Sequence, residues 1–254
     1  MENRPRLGII GGMGSVAAAH FFKRLIELTP AVTDQEYIET FLHNNTQVPD
    51  RTAGVLYGKP SPLPELRRSV EILNSLDSSH IVLACMTSHY FLPQLQEISR
   101  AEILDGIALS AVRCRELGLK RVGIIASTGA IALGLFQKQL KKMGIDALIF
   151  SEQDQEHYFA EPVYAEWGVK AGYVTGRPKE RLNQGAQLLI EDGAEAIIAG
   201  CTELPLVFSA EDFSVPLVDT IDVLLETAIQ SCLGTPAVSR LSQPRQRRSE
   251  QNPT

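Results

Sequence analysis

Two cysteines follow apolar segments typical of buried strands, and they occupy equivalent positions in two similar halves of the chain. Cys85 follows residues 81–84 and Cys201 follows residues 197–200. Residues 7–10 and 122–125 repeat at nearly the same offset, which indicates a duplicated unit. If the halves face each other, the two thiols meet across one cleft. Such a pair suits a reaction that removes a proton from one face of a carbon and returns one to the other.

Both cysteines also precede predicted helices. The unsatisfied amides and the positive end of a helix lower a thiol pKa, so reactive thiolates are expected at both positions. For either residue alone, the alternative is a small apolar side chain that packs a strand end. The matched pair favours the reactive interpretation. Cys114 and Cys232 lie inside predicted helices and receive no such role.

The elements that position these residues alternate along the chain, as is typical of parallel strands joined by crossover helices. Predicted strands lie at residues 7–10, 37–43, 81–84, 103–104, 122–125, 147–150, 196–199 and 217–218. Predicted helices lie at residues 16–28, 63–76, 91–100, 108–117, 130–143, 155–169, 178–192 and 221–232. We therefore predict an α/β protein of two similar domains. Each has a four-stranded, mainly parallel sheet flanked by helices, and pseudo-two-fold symmetry places the active site between them.

The predicted domain limits follow from this duplication. Residues 1–117 form the first α/β domain and residues 118–220 the second, and the helix at 221–233 is expected to pack back onto the first. Residues 239–254 contain several arginines and almost no apolar side chain, which predicts a disordered tail.

The composition describes an ordinary globular protein. The 254 residues include 44% hydrophobic and 21% charged side chains with a net charge of −6, which argues against a nucleic-acid partner. No stretch approaches the ~18 apolar residues of a membrane span, and no signal peptide is evident, so we expect a cytoplasmic location and no membrane partner. Reduced thiols fit that location. The absence of a C-x-x-C motif and the spacing of the histidines argue against zinc.

A glycine run at residues 11–14 follows the first predicted strand. It lacks the third glycine of a dinucleotide-binding turn, and no acidic residue closes a second strand at the required distance, so NAD binding is not expected. A tight turn whose amides reach a small anionic ligand is the better interpretation.

Other polar residues could hold such an anion. Arg51 and Lys170 could each pair with a carboxylate, although each could equally be a solvated surface charge. Thr87, Thr128 and Thr202 could donate hydrogen bonds to it or cap the helices that they precede. The residues alone leave these alternatives open.

Taken together, these motifs resemble the aspartate/glutamate racemase family, cofactor-independent enzymes that invert acidic amino acids with two cysteines. The resemblance runs from Leu7 to about Cys232 and depends on residues 11–14, 44–45, 49–51, 84–91, 127–129 and 200–205. The glycine–methionine opening resembles the aspartate racemase branch, whereas glutamate racemases usually open with an aspartate–serine pair.

The resemblance implies that Cys85 and Cys201 are the two acid/base residues of an aspartate racemase, with glutamate as a possible second substrate. It implies no cofactor, a small acidic amino acid as substrate, and a homodimer. The residues that it implies for substrate binding are Met13, Gly14, Asn45, Arg51, Met86, Thr87, Ser127, Thr128, Lys170, Thr202 and Glu203.

Met86 departs from the family pattern, which commonly has asparagine at this position. A thioether is only a weak acceptor, and the loss of one hydrogen bond to a charged group costs ~1.5–3 kcal/mol. Two alternatives therefore stay open. One is another enzyme of the superfamily, such as a maleate isomerase, hydantoin racemase or malonate decarboxylase. The other is a homologue that binds a dicarboxylate without turnover.

Overall fold

The computed structural model describes residues 4–237, so the tail predicted at 239–254 lies outside the described residues. Eight strands occur in the described part of the chain: β1 (Leu7–Gly11), β2 (Thr40–Asn44), β3 (His80–Leu83), β4 (Glu102–Ile103), β5 (Arg121–Ile125), β6 (Asp146–Leu148), β7 (Ile197–Ala199) and β8 (Leu217–Asp219).

The strands form two parallel four-stranded sheets of the same topology. The first has the order β2-β1-β3-β4 and the second the order β6-β5-β7-β8. Equivalent pairings repeat, with Ile9 opposite Val82 in one sheet and Ile124 opposite Ile198 in the other. The central strand β1 is buried along its whole length, as expected where helices cover both faces of a parallel sheet. The predicted fold class is confirmed.

The α-helices connect and flank these strands. They are α1 (Ser15–Leu28), α2 (Arg51–Leu56), α3 (Leu63–Ser75), α4 (Leu92–Gln96), α5 (Gly106–Glu116), α6 (Thr128–Ala132), α7 (Leu135–Lys142), α8 (Glu152–Gln155), α9 (Glu161–Tyr164), α10 (Arg177–Glu191) and α11 (Thr220–Leu233). Shorter 3₁₀ turns include Met86–Phe91, Val169–Ala171 and Leu204–Leu206.

Two of the long helices predicted from periodicity are broken. The helix predicted at 130–143 is divided between α6 and α7 at Gly134, whose φ of 65° lies in the left-handed region. The helix predicted at 155–169 is instead a π-helical turn, Glu156–Ala160, followed by α9, which ends at Tyr164. Apolar residues recur at helical spacing across both breaks, so this pattern predicted continuous helices.

The two halves share apolar packing. One cluster of buried side chains combines Leu7 and Phe21 from the first half with Val122 and Phe136 from the second. Helix α11 packs against α1, β3 and α5, while α5 also packs against α7. The final helix of each half therefore contacts elements of the other half, and this exchange fixes the two sheets relative to each other.

Candidate active site

One cleft lies beyond the carboxyl ends of β3 and β7. It is lined by Met13, Asp50, Arg51, Thr52, Cys85, Met86 and Thr87 from the first half, and by Ser127, Tyr164, Lys170, Gly200, Cys201, Thr202 and Glu203 from the second. The structure thus brings both cysteines to one site, together with most of the polar residues that the sequence singles out. Ligands of parallel α/β sheets bind at this end of the strands.

The two cysteines reach the cleft because each strand ends two residues earlier, at Leu83 and at Ala199. The amide of Ala84 donates to Ile10 O at 2.9 Å, and the amide of Gly200 donates to Ile125 O at 2.8 Å. A Cβ atom at Gly200 would lie 2.8 Å from the Phe136 ring, so glycine allows the close approach that turns the chain. The next residue in each case is the cysteine, and the two cysteine residues are 7% and 9% exposed.

Arg51 lies beside the Cys85 thiol. It is the first residue of α2, and its Nη2 donates to Met13 O at 2.7 Å. Burial lowers the pKa of Arg51, but the negative charges of a Cys85 thiolate and of Asp50 outweigh burial and leave the pKa raised. Within residues 4–237, the buried Arg51 Nε has no hydrogen-bond partner. Arg51 can therefore serve as counter-ion to a thiolate and still offer a donor to an anionic ligand.

Cys201 has an acidic neighbour instead. Its Sγ donates to Glu203 Oε2 at 3.0 Å, and Thr202 Oγ1 donates to the same oxygen at 3.3 Å. The other carboxylate oxygen, Oε1, lies 2.8 Å from Lys170 Nζ. Burial, and then the charge of Glu203, raise the pKa of Cys201 well above its usual value. Cys201 is therefore a thiol in this arrangement.

The pKa of Cys201 corrects the expectation that a helix start would lower it. The segment after β7 enters only the short 3₁₀ turn Leu204–Leu206, which begins three residues beyond the cysteine. A 3₁₀ turn that begins this far along the chain provides little positive potential at the sulfur, since such effects fade within one turn. The adjacent carboxylate and burial therefore dominate.

Hydroxyl groups from both halves meet at the cleft. Thr87 Oγ1 and Ser127 Oγ are 2.6 Å apart, and Ser127 Oγ also accepts a hydrogen bond from the amide of Ala130 at 3.2 Å. A Cβ atom at Gly129 would lie 2.6 Å from Thr52 Oγ1, so the start of α6 packs tightly against α2. The hydroxyls are thus held by the contact between the two halves.

Three residues that the resemblance implies for substrate binding lie outside the cleft lining. Asn45 is 2% exposed, and its amide donates to Glu65 O and Ser69 Oγ, both at 3.1 Å. These contacts of Asn45 stabilise the loop after β2. The loop passes so close to Gly12 that a Cβ atom on Gly12 would lie 2.4 Å from Asn45 O. The sequence placed Asn45 correctly at the strand end but could not show which way its side chain turns.

The other two are Thr128 and Gly14. Thr128 Oγ1 accepts a 3.4 Å hydrogen bond from Gln155 Nε2, which accounts for its polar group. Gly14 is the N-cap residue of α1, and a Cβ atom there would lie 3.4 Å from Lys170 Nζ. Gly14 therefore lies next to the end of the Lys170 side chain. Because glycine has no side chain, it leaves room for the ammonium group there.

Four cleft residues were not predicted as site residues: Asp50, Thr52, Tyr164 and Gly200. Asp50 and Thr52 flank Arg51, so their positions next to a candidate could have indicated them. The sequence gave no sign that Tyr164 belongs to the site, because the residue lies in the middle of the helix predicted at 155–169 and not at a strand end. Its ring centroid lies 5.6 Å from Lys170 Nζ, within the range of a cation–π contact.

The described residues show neither a membrane-spanning helix nor a cluster of metal ligands. Within 4–237, no helix combines the length and apolarity needed to cross a bilayer. The same residues contain no group of three or more His, Cys, Asp or Glu side chains arranged to hold a metal ion.

Two solved structures of similar fold are named as racemases. Picrophilus torridus aspartate racemase superposes with a TM-score of 0.80 at 24% identity, over 92% of this chain and 96% of that one. Francisella tularensis glutamate racemase, solved with D-glutamate, has a TM-score of 0.63 at 20% identity, over 91% of this chain and 81% of that one. At these identities the likeness shows the fold.

Sequence comparison identifies the family. Glutamate racemase from Sulfurihydrogenibium sp. (strain YO3AOP1) is 29% identical over 164 residues, which are 61% of this chain and 59% of that protein. A family model described as Asp/Glu/Hydantoin racemase matches residues 10–228 and so includes both cysteines and every residue of the cleft. The resemblance predicted from the motifs is thereby confirmed, and the chain belongs to the Asp/Glu/Hydantoin racemase family.

Proposed function

We propose that the protein interconverts L- and D-aspartate by moving protons between Cys85, Cys201 and the two faces of the substrate Cα, without a cofactor. The observation that carries this proposal is that both cysteines, each following an equivalent strand, line one cleft. Their charges also interact, since a negative charge on Cys85 contributes to the raised pKa of Cys201. Two-base racemisation needs this arrangement, because a single base would have to travel around the carbon.

The two thiols have different surroundings, which suggests their starting states. A thiolate at Cys85 has Arg51 beside it, whereas the Cys201 thiol donates to Glu203. For one enantiomer, the Cys85 thiolate accepts the Cα proton and the Cys201 thiol donates its proton to the opposite face. For the other enantiomer, the two roles are reversed.

The carbanion formed at Cα must be stabilised by neutralising the adjacent carboxylate. Arg51 Nε is buried and without a partner in the described chain, and the hydroxyls of Thr87, Ser127 and Thr202 line the same cleft. Preorganised donors of this kind act most strongly where water is excluded. The cationic and hydroxyl groups of the lining favour a small acidic amino acid.

The choice of aspartate rests on two supports. The glycine–methionine turn after β1 resembles the aspartate branch, and Met13 from this turn lines the cleft. The structure with a TM-score of 0.80 is named an aspartate racemase. Glutamate is one methylene longer and is the substrate to compare with aspartate.

The test is incubation of pure L-aspartate and pure L-glutamate with the enzyme in D₂O, without added cofactor. Chiral chromatography and mass spectrometry then measure inversion and deuterium at Cα. We expect D-aspartate that carries deuterium, and less conversion of glutamate. Binding of aspartate without deuterium exchange would instead support a non-catalytic homologue. Turnover of maleate or of a hydantoin, with aspartate untouched, would support another activity of the superfamily.

A further inference from the structure

A buried histidine joins the first cysteine of the cleft to the start of α5. His89 is 7% exposed, and its Nδ1 lies 3.2 Å from the carbonyl oxygen of Cys85. On the other side of the ring, Nε2 accepts a hydrogen bond from the amide of Gly106 at 3.2 Å. A Cβ atom at Gly106 would lie 3.5 Å from His89 Nε2 and 3.2 Å from Leu224 Cδ2. The ring therefore lies where α5 and α11 meet.

These two contacts define which ring nitrogen of His89 carries the proton. A backbone amide can only donate, so Nε2 must be the acceptor and the proton must lie on Nδ1, which donates to Cys85 O. Burial lowers the pKa of His89, although the charge of Asp105 and the hydrogen bond to the Cys85 backbone oppose this effect. The imidazole is therefore neutral, and both of its nitrogens have partners inside the protein.

The first amides of α5 all have side-chain acceptors. Asp105 Oδ1 accepts from the amides of Ile107 and Ala108, both at 3.0 Å. His89 accepts from Gly106, the first residue of the helix. The first amides of a helix have no partner within it, and a buried amide without an acceptor destabilises the fold. The start of α5 therefore holds the histidine ring in one orientation.

The equivalent position in the second half of the chain is a proline. The halves repeat here, because Asp105 is the N-cap residue of α5 as Asp219 is that of α11. Four residues after Cys201, however, the chain has Pro205, whose side chain cannot form a hydrogen bond. The histidine contact is therefore particular to Cys85, and its role is to be sought at that cysteine.

Cys85 lies at a junction where its backbone needs a restraint. Its dihedral angles are extended, with φ of −164° and ψ of 113°, and the 3₁₀ turn Met86–Phe91 begins at the next residue. The Cys85 carbonyl accepts from the amide of Ser88 at 3.2 Å as well as from His89. A small rotation at this junction would move the thiol, and a misplacement of about 1 Å can cost ~10²-fold in rate.

We propose that His89 is a positioning residue for Cys85. This inference rests on the proposed two-cysteine racemisation and concerns a residue that does not line the cleft. The ring connects the carbonyl of Cys85 to the start of α5, and α5 packs against α11 and α7. The direction of the Cys85 side chain is thereby set by the helices that join the two halves.

The enantiomers of a chlorinated substrate separate the two cysteines. In racemisation both cysteines act in each turnover, so a loss at either one lowers the rate in both directions. With 3-chloroaspartate, removal of the Cα proton is followed by loss of chloride from Cβ, and the C–H electron pair forms the C=C bond of the product. Each enantiomer at Cα then reports on the one cysteine that deprotonates it. Cys85→Ser identifies the enantiomer that belongs to Cys85.

The first variant is His89→Leu, which removes the donor and the acceptor and has a similar volume. We expect elimination from the enantiomer that Cys85 deprotonates to fall by ~10–100-fold, and elimination from the other to stay near the wild-type rate. His89→Gln has a donor and an acceptor on one planar amide and should restore much of the rate. His20 lies on α1 and does not line the cleft, so His20→Leu is the matched control and should change neither rate.

Equal losses for both enantiomers in His89→Leu would overturn the proposal, because a general loosening of the fold affects both cysteines. Wild-type elimination rates in this variant would overturn it as well. Circular dichroism melting shows whether each variant is folded. If His89→Leu does not fold, the tautomer of the wild-type ring decides.

That tautomer can be measured without turnover. Long-range ¹H–¹⁵N NMR correlation reports which ring nitrogen carries the proton, and the signals of His89 are assigned from their loss in His89→Gln. We expect the Nδ1–H tautomer at neutral pH. The Nε2–H tautomer or a charged ring would overturn the proposal, since neither can accept from the amide of Gly106. If the wild type turns over neither aspartate nor 3-chloroaspartate, the proposed function fails, and the NMR result still decides whether the connection between Cys85 and α5 exists.

Discussion

Thr87 Oγ1 lies 2.6 Å from Ser127 Oγ, so a hydroxyl from the first half meets a hydroxyl from the second at the cleft. Both residues are buried, at 6% and 4% exposure. Because the cleft lies between the halves, a contact that joins them also fixes the distance across it. Hydrogen bonds of this kind contribute ~0.5–1.5 kcal/mol to stability.

We expect Thr87→Val and Ser127→Ala to be coupled in their effects on the free energy of unfolding. Valine retains the shape of threonine and removes only the hydroxyl, whereas Ser127→Ala also removes the hydrogen bond to the amide of Ala130. A double-mutant cycle from urea denaturation should give a coupling energy of ~0.5–1.5 kcal/mol. Strictly additive effects would show that the two hydroxyls do not stabilise each other.

Cys85→Ser and Cys201→Ser should each abolish racemisation, because a serine hydroxyl is far too weak an acid to supply the base. Aspartate binding should survive in both, since serine has the branching of cysteine and is slightly smaller, so it does not block the cleft. Chiral chromatography measures the loss and calorimetry the binding. Either single variant that keeps a tenth or more of the wild-type rate would contradict the two-thiol mechanism.

Cys114 is a cysteine that does not line the cleft, so it can be compared with Cys85 and Cys201. It lies in α5 with 0% exposure, and burial raises its pKa to about 12. We expect Cys114→Ala to leave racemisation nearly unchanged. Cys114→Ser should lower the melting temperature, since it buries a hydroxyl in the apolar cluster. A loss of activity in a folded Cys114→Ala enzyme would show that the site extends to α5.

The raised pKa of Cys114 also predicts a dependence of stability on pH. Its usual pKa is about 9 and its folded value about 12, so the unfolded chain loses this proton first as the pH rises. Its contribution to stability is therefore complete below pH 9 and is lost between pH 9 and 12. Urea denaturation across this range should show a shallower decline in Cys114→Ala than in the wild type, and parallel declines would contradict the assignment.

Met86 is where the family pattern and this structure make different predictions. The resemblance predicts that Met86→Asn restores a carboxylate contact and raises kcat/KM for aspartate by up to about tenfold. However, Met86 is 2% exposed and packs in the main apolar cluster. We therefore expect Met86→Asn to lower the melting temperature and to bring no gain in aspartate turnover. Kinetics with aspartate and glutamate decide, and a clear gain for aspartate would favour the family pattern.

The pairing of Arg24 with Asp222 connects α1 to α11. Arg24 Nε and Nη2 donate to the two carboxylate oxygens at 2.6 and 2.5 Å, and the Arg24 side chain is 13% exposed. Asp222→Asn should cost ~1.5–3 kcal/mol of unfolding free energy, the value of hydrogen bonds to a charged group. Lys23, whose side chain is 69% exposed, pairs with Glu27 on the same helix and supplies the control, so Lys23→Ala should cost no more than about 1 kcal/mol. Similar losses in both variants would contradict a special role for the first pair in holding α11.

The architecture and the chain positions of the two candidate cysteines could be predicted from the amino-acid pattern alone. Buried parallel strands require continuous apolar segments, and the repeat of those segments indicated two equivalent sheets. Since parallel strands place their carboxyl ends at one edge, the residues after β3 and β7 had to reach the same side of their sheets. Cys85 and Cys201 were therefore located before any tertiary contact was known.

The surroundings of each candidate residue, in contrast, depend on how distant parts of the chain pack together. Asn45 and Lys170 lie at the expected places in the chain, yet Asn45 binds Glu65 and Ser69, and Lys170 pairs with Glu203. The raised pKa of Cys201 follows from burial and from Glu203, two effects that local helix signals do not contain. Side-chain direction and electrostatic environment depend on contacts between residues far apart in the chain. Periodicity and spacing in the sequence reflect only local preferences. The charges and hydrogen bonds around the cleft side chains can therefore be assigned only from the packed structure.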